Sequence, residues 1–400
     1  MSKGHIRQRS ANSWELKFDA GRSAATGKRV TKHVTVRGSK RDAQRELRRL
    51  LSQVDEGTYS DPGKLTLGAY LDQWLSGHRA TISGRTAERY EEHIEQHIKP
   101  AIGGLALGKV TTLDINAFYA TKLASGRLDG NGGLSARTVH HFDRLLHLAL
   151  EDAVRSRLIV FNPVTHAKRP KVPKKTPCTP TDEELSTLLA MSAERPLYVP
   201  LVLILTTGIR RGELLALRWR NVDLEGSRLQ IVEAVEETKT GLRLKEPKTQ
   251  AGRRRVDLPA FAVEALRKHQ LQQKKEHLAL GLRWTVDALL FPSMNGGLQR
   301  PRNFTKSVAR LAARAGVKFS PHLGRHDHFT RLLAAGVHPK VAQIRAGHSS
   351  VAVTMDVYSH AIDALQKDAV ERTENIFVEI RKVAGGNPVA KPISSRRAKT

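Results

Sequence analysis

The chain has 400 residues, 40% of them hydrophobic, and a formal charge of +28 from 67 Lys and Arg against 39 Asp and Glu. That length predicts two or three domains with sizeable cores, and a single cysteine, Cys178, excludes an internal disulfide or a cysteine-rich zinc site. So large a basic excess predicts a polyanionic partner, nucleic acid ahead of an anionic membrane. No apolar run approaches a membrane span and no secretory leader opens the chain, so a soluble intracellular protein is expected.

Residues 1–60 predict a small sheet backed by one helix. In SWELKFD, Trp14, Leu16 and Phe18 alternate onto one face, and in RVTKHVTV, Val30, Val34 and Val36 keep the same phase. Ser39 then caps a helix with Ala43, Leu47, Leu50, Leu51 and Val54 at helical spacing. Lys17, Arg29 and Lys32 are assigned to exposed strand faces, a surface suited to a nucleic-acid groove. A solvated basic domain is the bland alternative.

Residues 61–170 predict a bundle of about four helices. Its apolar stripes are Leu67, Tyr70, Leu71, Trp74 and Leu75 after the cap Thr66; Tyr90, Ile94 and Ile98, ended by Pro100; Ile115, Phe118 and Tyr119; and Val139, Phe142, Leu145, Leu146 and Ala149. The aromatics stand at core spacing, which favours packing over a cofactor role. In AKRPKVPKKTPCTPTDEE, Pro170, Pro173, Pro177 and Pro180 forbid helix while Lys168, Arg169, Lys171, Lys174 and Lys175 add charge. A stiff basic linker over 171–180, lying along phosphates rather than merely solvated, is expected.

Residues 181–383 carry the reactive groups. LTTGIRRGELLALRW joins an apolar run through a glycine turn to a helix starting near Arg210, with Glu213 on the same face. A guanidinium at such a helix start suits phosphate, although a lone R-x-x-E is more often a surface ion pair. The stretch RLQIVEAVEETKTGLRLKEPKTQAGRRRVDLP alternates as a small antiparallel sheet with Lys248 in its last turn. Arg253, Arg254 and Arg255 follow and are expected to touch DNA. SPHLGRHDHF supplies His322, Arg325, His326 and His328. His322 and His326 have the spacing of a zinc pair, but the glutamate of H-E-x-x-H is missing and no metal is expected. GHSSVAVTMDVYSH sets Tyr358 ten places after His348; a tyrosine by itself is usually a core aromatic. Residues 384–400 have no apolar face and predict a disordered basic tail.

Two arginines, a lysine, two histidines and a tyrosine, with no acidic metal cluster and no P-loop, are what metal-free strand transfer through a phosphotyrosine requires. Charge gathering on the non-bridging oxygens must be met by fixed donors, one proton must leave the tyrosine and another must reach the departing oxygen. Spacing alone does not establish this.

At these motifs the sequence resembles the tyrosine recombinases, specifically phage-type integrases, over residues 1 to about 380. TTGIRRGELLALRW resembles the first arginine box, implying Arg210 as catalytic arginine supported by Glu213. PKTQAGRRRVDLP is similar to the lysine hairpin, implying Lys248 as acid for the 5′-hydroxyl. HLGRH resembles H-x-x-R, implying His322 as base or proton shuttle and Arg325 as second phosphate clamp. AGHSSVAVTMDVYSH is similar to the closing box, implying His348 as a phosphate hydrogen-bond donor and Tyr358 as nucleophile. Leu323 and Gly324 stand where the family commonly has Asp-Leu, and Ala346 where it commonly has Leu; Gly324 in a helix is expected to loosen the aim of Arg325.

The resemblance implies an arm-type DNA-binding domain (1–60), a helical core-site-binding domain (61–170) and a mainly helical catalytic domain with a small antiparallel sheet, a multidomain α+β chain. It further implies site-specific integration and excision for a phage or mobile element, without cofactor or ATP. The implied partners are double-stranded DNA at core and arm attachment sites, three further copies in a homotetramer, and an excisionase or host DNA-bending protein. The implied place is the cytoplasm of a bacterial host, at the nucleoid. A catalytically weakened relative serving as a DNA-binding regulator is the alternative; a type IB topoisomerase shares the chemistry but is disfavoured by the added N-terminal sheet.

Overall fold

The computed structural model describes residues 4–22, 29–55, 65–173, 179–247, 252–347, 350, 370–371 and 373–380. The chain divides into two compact units, Met1–Lys175 and Thr176–Thr400.

The first unit opens on an antiparallel sheet of β1 (Gly4–Ser10), β2 (Ser13–Arg22) and β3 (Arg29–Arg37), in that spatial order. Its period of two buries Leu16 and Phe18 beneath α1 (Lys40–Asp55), against Ala43, Leu47 and Leu50. Ser39 and Asp42 cap α1 reciprocally, each side chain meeting the other's backbone N–H. Lys17 is exposed on the outer face, and Arg29 is ion-paired to Asp19 at 2.6 Å. The expectation for Lys32 is corrected. It is half-buried opposite Phe18, because it shares strand parity with Val30 and Val34 and therefore lies on the inner face.

A separate core in the same unit is built from α2 (Leu67–His78), α3 (Gly84–His93), α4 (Lys99–Ile102), α5 (Thr112–Ser125) and α6 (Ala136–Arg155). Thr66, Ser83, Thr111 and Ser135 each accept a backbone N–H at a helix start, and the expected stripes interlock around Leu71, Ile98, Phe118 and Phe142. Pro100 does not end its helix. Residues Ile94–Ile98 widen into a π-turn in which Lys99 N–H donates to the Ile94 carbonyl, and the chain continues to Ile102. The wider turn accommodates a ring that would otherwise press on the carbonyl four residues back.

The chain leaving the bundle is fastened to it. Arg169 Nε lies 2.8 Å from the buried Asp143 carboxylate, which also accepts the Tyr119 hydroxyl at 3.0 Å. Lys168 N–H donates to Asn116, and His140 Nε2 stands 2.7 Å from the Pro170 carbonyl. Arg169, expected to face phosphates, is thus also a structural tie; Lys168 and Lys171 are exposed.

The second unit runs α7 (Asp182–Ala190), α8 (Tyr198–Thr207), α9 (Arg211–Ala216), β4 (Val222–Asp223), β5 (Arg228–Ile231), β6 (Ala234–Thr238), β7 (Gly241–Lys245), β8 (Arg254–Asp257), α10 (Ala260–Ala279), α11 (Pro301–Arg314), α12 (Pro321–Ala334) and α13 (Pro339–Ala346). Thr181 and Glu184 form the capping box of α7. The one sheet expected here is two: β4-β5-β8, and a β6-β7 hairpin. Val232 and Glu233 step out of the ladder between β5 and β6, so Leu229 and Ile231 pair with β8 while β6 packs on α9.

Candidate active site

Apolar on every side, α8 is buried through Leu201, Val202, Leu203 and Ile204. It stops at Gly208, whose φ of 62° is left-handed and whose missing side chain leaves room: a Cβ would stand 2.6 Å from Phe329 and 2.7 Å from His328. The turn delivers Arg210 to the start of α9. Its guanidinium donates to Glu213 at 2.8 Å and its backbone N–H donates to the same carboxylate at 3.0 Å. The lone-motif reading of a surface ion pair does not describe it, since Glu213 is buried.

The reason for that burial is a third residue. Arg254, on β8, sends Nη1 and Nη2 to the two oxygens of Glu213 at 3.1 and 2.8 Å, with its own side chain only 3% exposed. Burial alone would raise the Glu213 pKa, but hydrogen bonds and charge from Arg254, and then from Arg210, hold it below the usual carboxylate range. Arg254 was expected to touch DNA; inside this pair it cannot. The signal was in the sequence, because Arg254 shares strand parity with the buried Val256 and Leu258.

Arg325 reaches the same place from α12. Its guanidinium lies over the Phe329 ring at 4.9 Å and donates to the carbonyls of Gly208 and, at 2.8 Å, of Ala346. Burial, then the charges of Arg210 and Arg254, pushes its pKa down to about 9, which leaves it protonated at neutral pH. His322 is exposed in the first turn of α12, three residues earlier and so on the same side of the helix.

These arginines converge on the end of α13, where Gly347 (φ 61°) closes the helix. Arg254 Nε donates to the carbonyl of Arg345 at 2.8 Å, Arg325 to that of Ala346, and Arg210 Nη2 to that of Gly347 at 2.9 Å. Three guanidiniums therefore hold three successive carbonyls at the negative end of the helix. The Arg345 side chain adds bonds to the carbonyls of Thr206 (2.9 Å) and Asp257 (3.0 Å), and its Nε lies 3.4 Å from His328 Nε2. With Nδ1 of His328 donating to the Leu205 carbonyl at 2.8 Å, Nε2 is the acceptor. Burial, with Arg345 second, pushes the His328 pKa down to about 4, so the ring is neutral. Sequence reading gives no role to either His328 or Arg345.

Gly324 lets α12 press against Phe319 and Ile204, and Ala346 is fully buried with Phe329, Leu333 and Ala342. Arg253 is exposed and paired to Glu246 at 2.7 Å, and Arg255 is exposed. Lys174, Lys175, Lys248, His348, Tyr358 and the tail 384–400 lie outside the described residues. Sequence reading passed over one basic face of the bundle: Arg85 and Arg89 on α3, and Arg137 and Arg144 on α6, are exposed. Burial, then Arg89, Arg144 and Arg137, lowers the pKa of His141, which marks those arginines as its neighbours. Their positions opposite the apolar stripes were the available signal. Among the described residues no group of three or more His, Cys, Asp or Glu could hold a metal ion, and no helix is long and apolar enough to cross a membrane.

Guanidiniums clustered at one helix end, in a mainly helical unit, make a site suited to an anion such as phosphate. Residues 180–364 match the phage integrase family, and residues 66–123 match the phage integrase N-terminal SAM-like domain; together they span more than half of the chain. The chain is 26% identical to a tyrosine recombinase XerC-like protein of Caldanaerobacter subterraneus subsp. tengcongensis over 85% of its own length and 90% of that protein's. It is 28% identical to an integrase of Streptomyces ambofaciens over 93% and 94%. Its fold is similar to that of the Tn1549 transposon integrase solved with a circular intermediate DNA, with a TM-score of 0.64 at 24% identity over 78% of this chain and all of that one. The chain belongs to the phage integrase family of tyrosine recombinases, enzymes that cleave and rejoin DNA strands at specific sites.

Proposed function

We propose that this recombinase integrates and excises a phage or other mobile element through a 3′-phosphotyrosine intermediate formed by Tyr358. The observation that carries the reading is the meeting of Arg210 and Arg325, from different helices, on adjacent carbonyls of residues 347 and 346, immediately before His348. Two guanidiniums fixed in this way, with His348 as a further donor, suit the non-bridging oxygens of one scissile phosphate.

In the step itself the Tyr358 oxygen forms a bond to phosphorus while the bond to the 5′ oxygen breaks. Lys248 gives its proton to that oxygen, and His322 takes the proton of the tyrosine. A 5′-hydroxyl from the partner duplex then attacks the phosphotyrosine, reversing each transfer. One phosphodiester replaces another, so neither ATP nor a metal is called for.

Two duplexes offer four strands and each protomer carries one nucleophile, which supports a homotetramer on DNA. Residues 1–60 would bind arm-type sites through Lys17 and Arg29. Residues 61–170 would bind the core site, with Arg89, Arg137 and Arg144 joining Lys168 and Lys171 on phosphates. Direction would be set by an accessory factor or a host DNA-bending protein, in the bacterial cytoplasm.

The test is Tyr358→Phe on a nicked suicide substrate bearing the core site. The parent should accumulate a covalent protein–DNA adduct and the variant none, with specific binding unchanged. A parent that binds but never forms the adduct would make the chain a DNA-binding regulator, and adducts from the variant would mean another nucleophile.

A further inference from the structure

We infer that Arg254 is a positioning residue for DNA cleavage: it aims Arg210 through Glu213 and holds the main chain entering the segment of His348. This rests on the reading of Arg210 given above. Both Glu213 oxygens are shared, Oε1 between Arg210 Nη1 (2.8 Å) and Arg254 Nη1 (3.1 Å), Oε2 between the Arg210 backbone N–H (3.0 Å) and Arg254 Nη2 (2.8 Å). The fork of Arg254 therefore sets the plane of the carboxylate, and that plane sets where the Arg210 guanidinium points. Its Nε holds the Arg345 carbonyl at 2.8 Å, two residues before the carbonyl that Arg210 itself grips. One buried side chain thus fixes both ends of the Arg210 guanidinium's surroundings. Engaged with Glu213 and the Arg345 carbonyl, Arg254 acts through Arg210 and through the main chain it holds.

The test uses full-length parent, Arg254→Met, Arg254→Lys and Arg210→Ala on nicked duplex carrying the core site. The scissile linkage is either an ordinary phosphodiester or an uncharged methylphosphonate. If Arg254 works by aiming Arg210 at developing charge, removing that charge from the substrate removes most of the need for it. Arg254→Met should bind DNA within about twofold of parent and cleave the phosphodiester about a hundredfold more slowly at saturating DNA, while losing only a few-fold on the methylphosphonate. Arg254→Lys keeps the charge opposite Glu213 and so guards against a folding failure; lacking the fork, it should be slowed about tenfold on the phosphodiester alone. Equal losses on both linkages would make Arg254 a purely structural residue, and undiminished phosphodiester cleavage would remove its role altogether. Parent-like cleavage by Arg210→Ala would instead overturn the assignment of Arg210, separating the two failures.

Discussion

A Cβ built on Gly324 stands 2.5 Å from Cζ of Phe319 and 2.9 Å from Cγ2 of Ile204. Helix propensity favours alanine over glycine by about 1 kcal/mol, but an overpacked core contact costs about 1–3 kcal/mol, and here the contact decides. Gly324→Ala is expected to lower stability by up to about 2 kcal/mol, measured by urea unfolding. Phe319→Leu in the same chain should return part of that loss. A variant as stable as the parent would show that α12 can move off α8 without cost.

Lys248→Ala should slow cleavage of an ordinary phosphodiester on the order of 10²-fold, the scale of a lost general acid. A 5′-bridging phosphorothiolate releases a thiolate that needs no proton, so its cleavage should be nearly unaffected. Single-turnover rates on the two substrates make the comparison. Equal defects would assign Lys248 to DNA binding.

His328 supplies a pH signature. Its folded pKa of about 4 lies below its ordinary 6.5, so on acidification the unfolded chain takes up the proton first. The stabilisation is complete above pH 6.5 and is lost as pH falls toward 4, by on the order of 3 kcal/mol. In a His328→Gln variant the side-chain amide can donate to the Leu205 carbonyl and accept from Arg345 without titrating. Unfolding free energies of the two proteins should therefore converge, or cross in favour of the variant, between pH 6.5 and 4. A pH-independent difference would mean the imidazole titrates alike in both states.

Removal of residues 1–60 should leave core-site cleavage intact and abolish integration between full attachment sites. The sheet and α1 enclose their own core of Leu16, Phe18, Ala43, Leu47 and Leu50, separate from that of the bundle. Adduct formation and recombination assays on the truncated protein make the check. Undiminished recombination would deny this segment an arm-binding role.

Periodicity located the strands, the helix caps and the apolar stripes because each is a local pattern over a few residues. It failed where a neighbour in space overrides the pattern. Pro100 reads as a stop until a π-turn makes room for its ring. Gly324 reads as a weak helix residue until Phe319 and Ile204 are seen against it. Arg254 and Lys32 were misassigned for a different reason: charge was given priority over strand parity, although parity already placed both on the inner side. The candidate site was legible as an ordered series of motifs. That its arginines meet on one helix end was not, because the partners are main-chain carbonyls, which no side-chain pattern encodes.

The grip of Arg254, Arg325 and Arg210 on the carbonyls of residues 345, 346 and 347 makes this anchor independent of which side chains those residues carry. Every amino acid presents the same oxygen, so the sequence here is free to answer other demands. Position 346 can follow the small, dry space among Phe329, Leu333 and Ala342, and position 345 can spend its guanidinium on α8 and His328. The alanine at position 346 is then a choice of filling, and the carbonyl anchor is the same whichever side chain stands there.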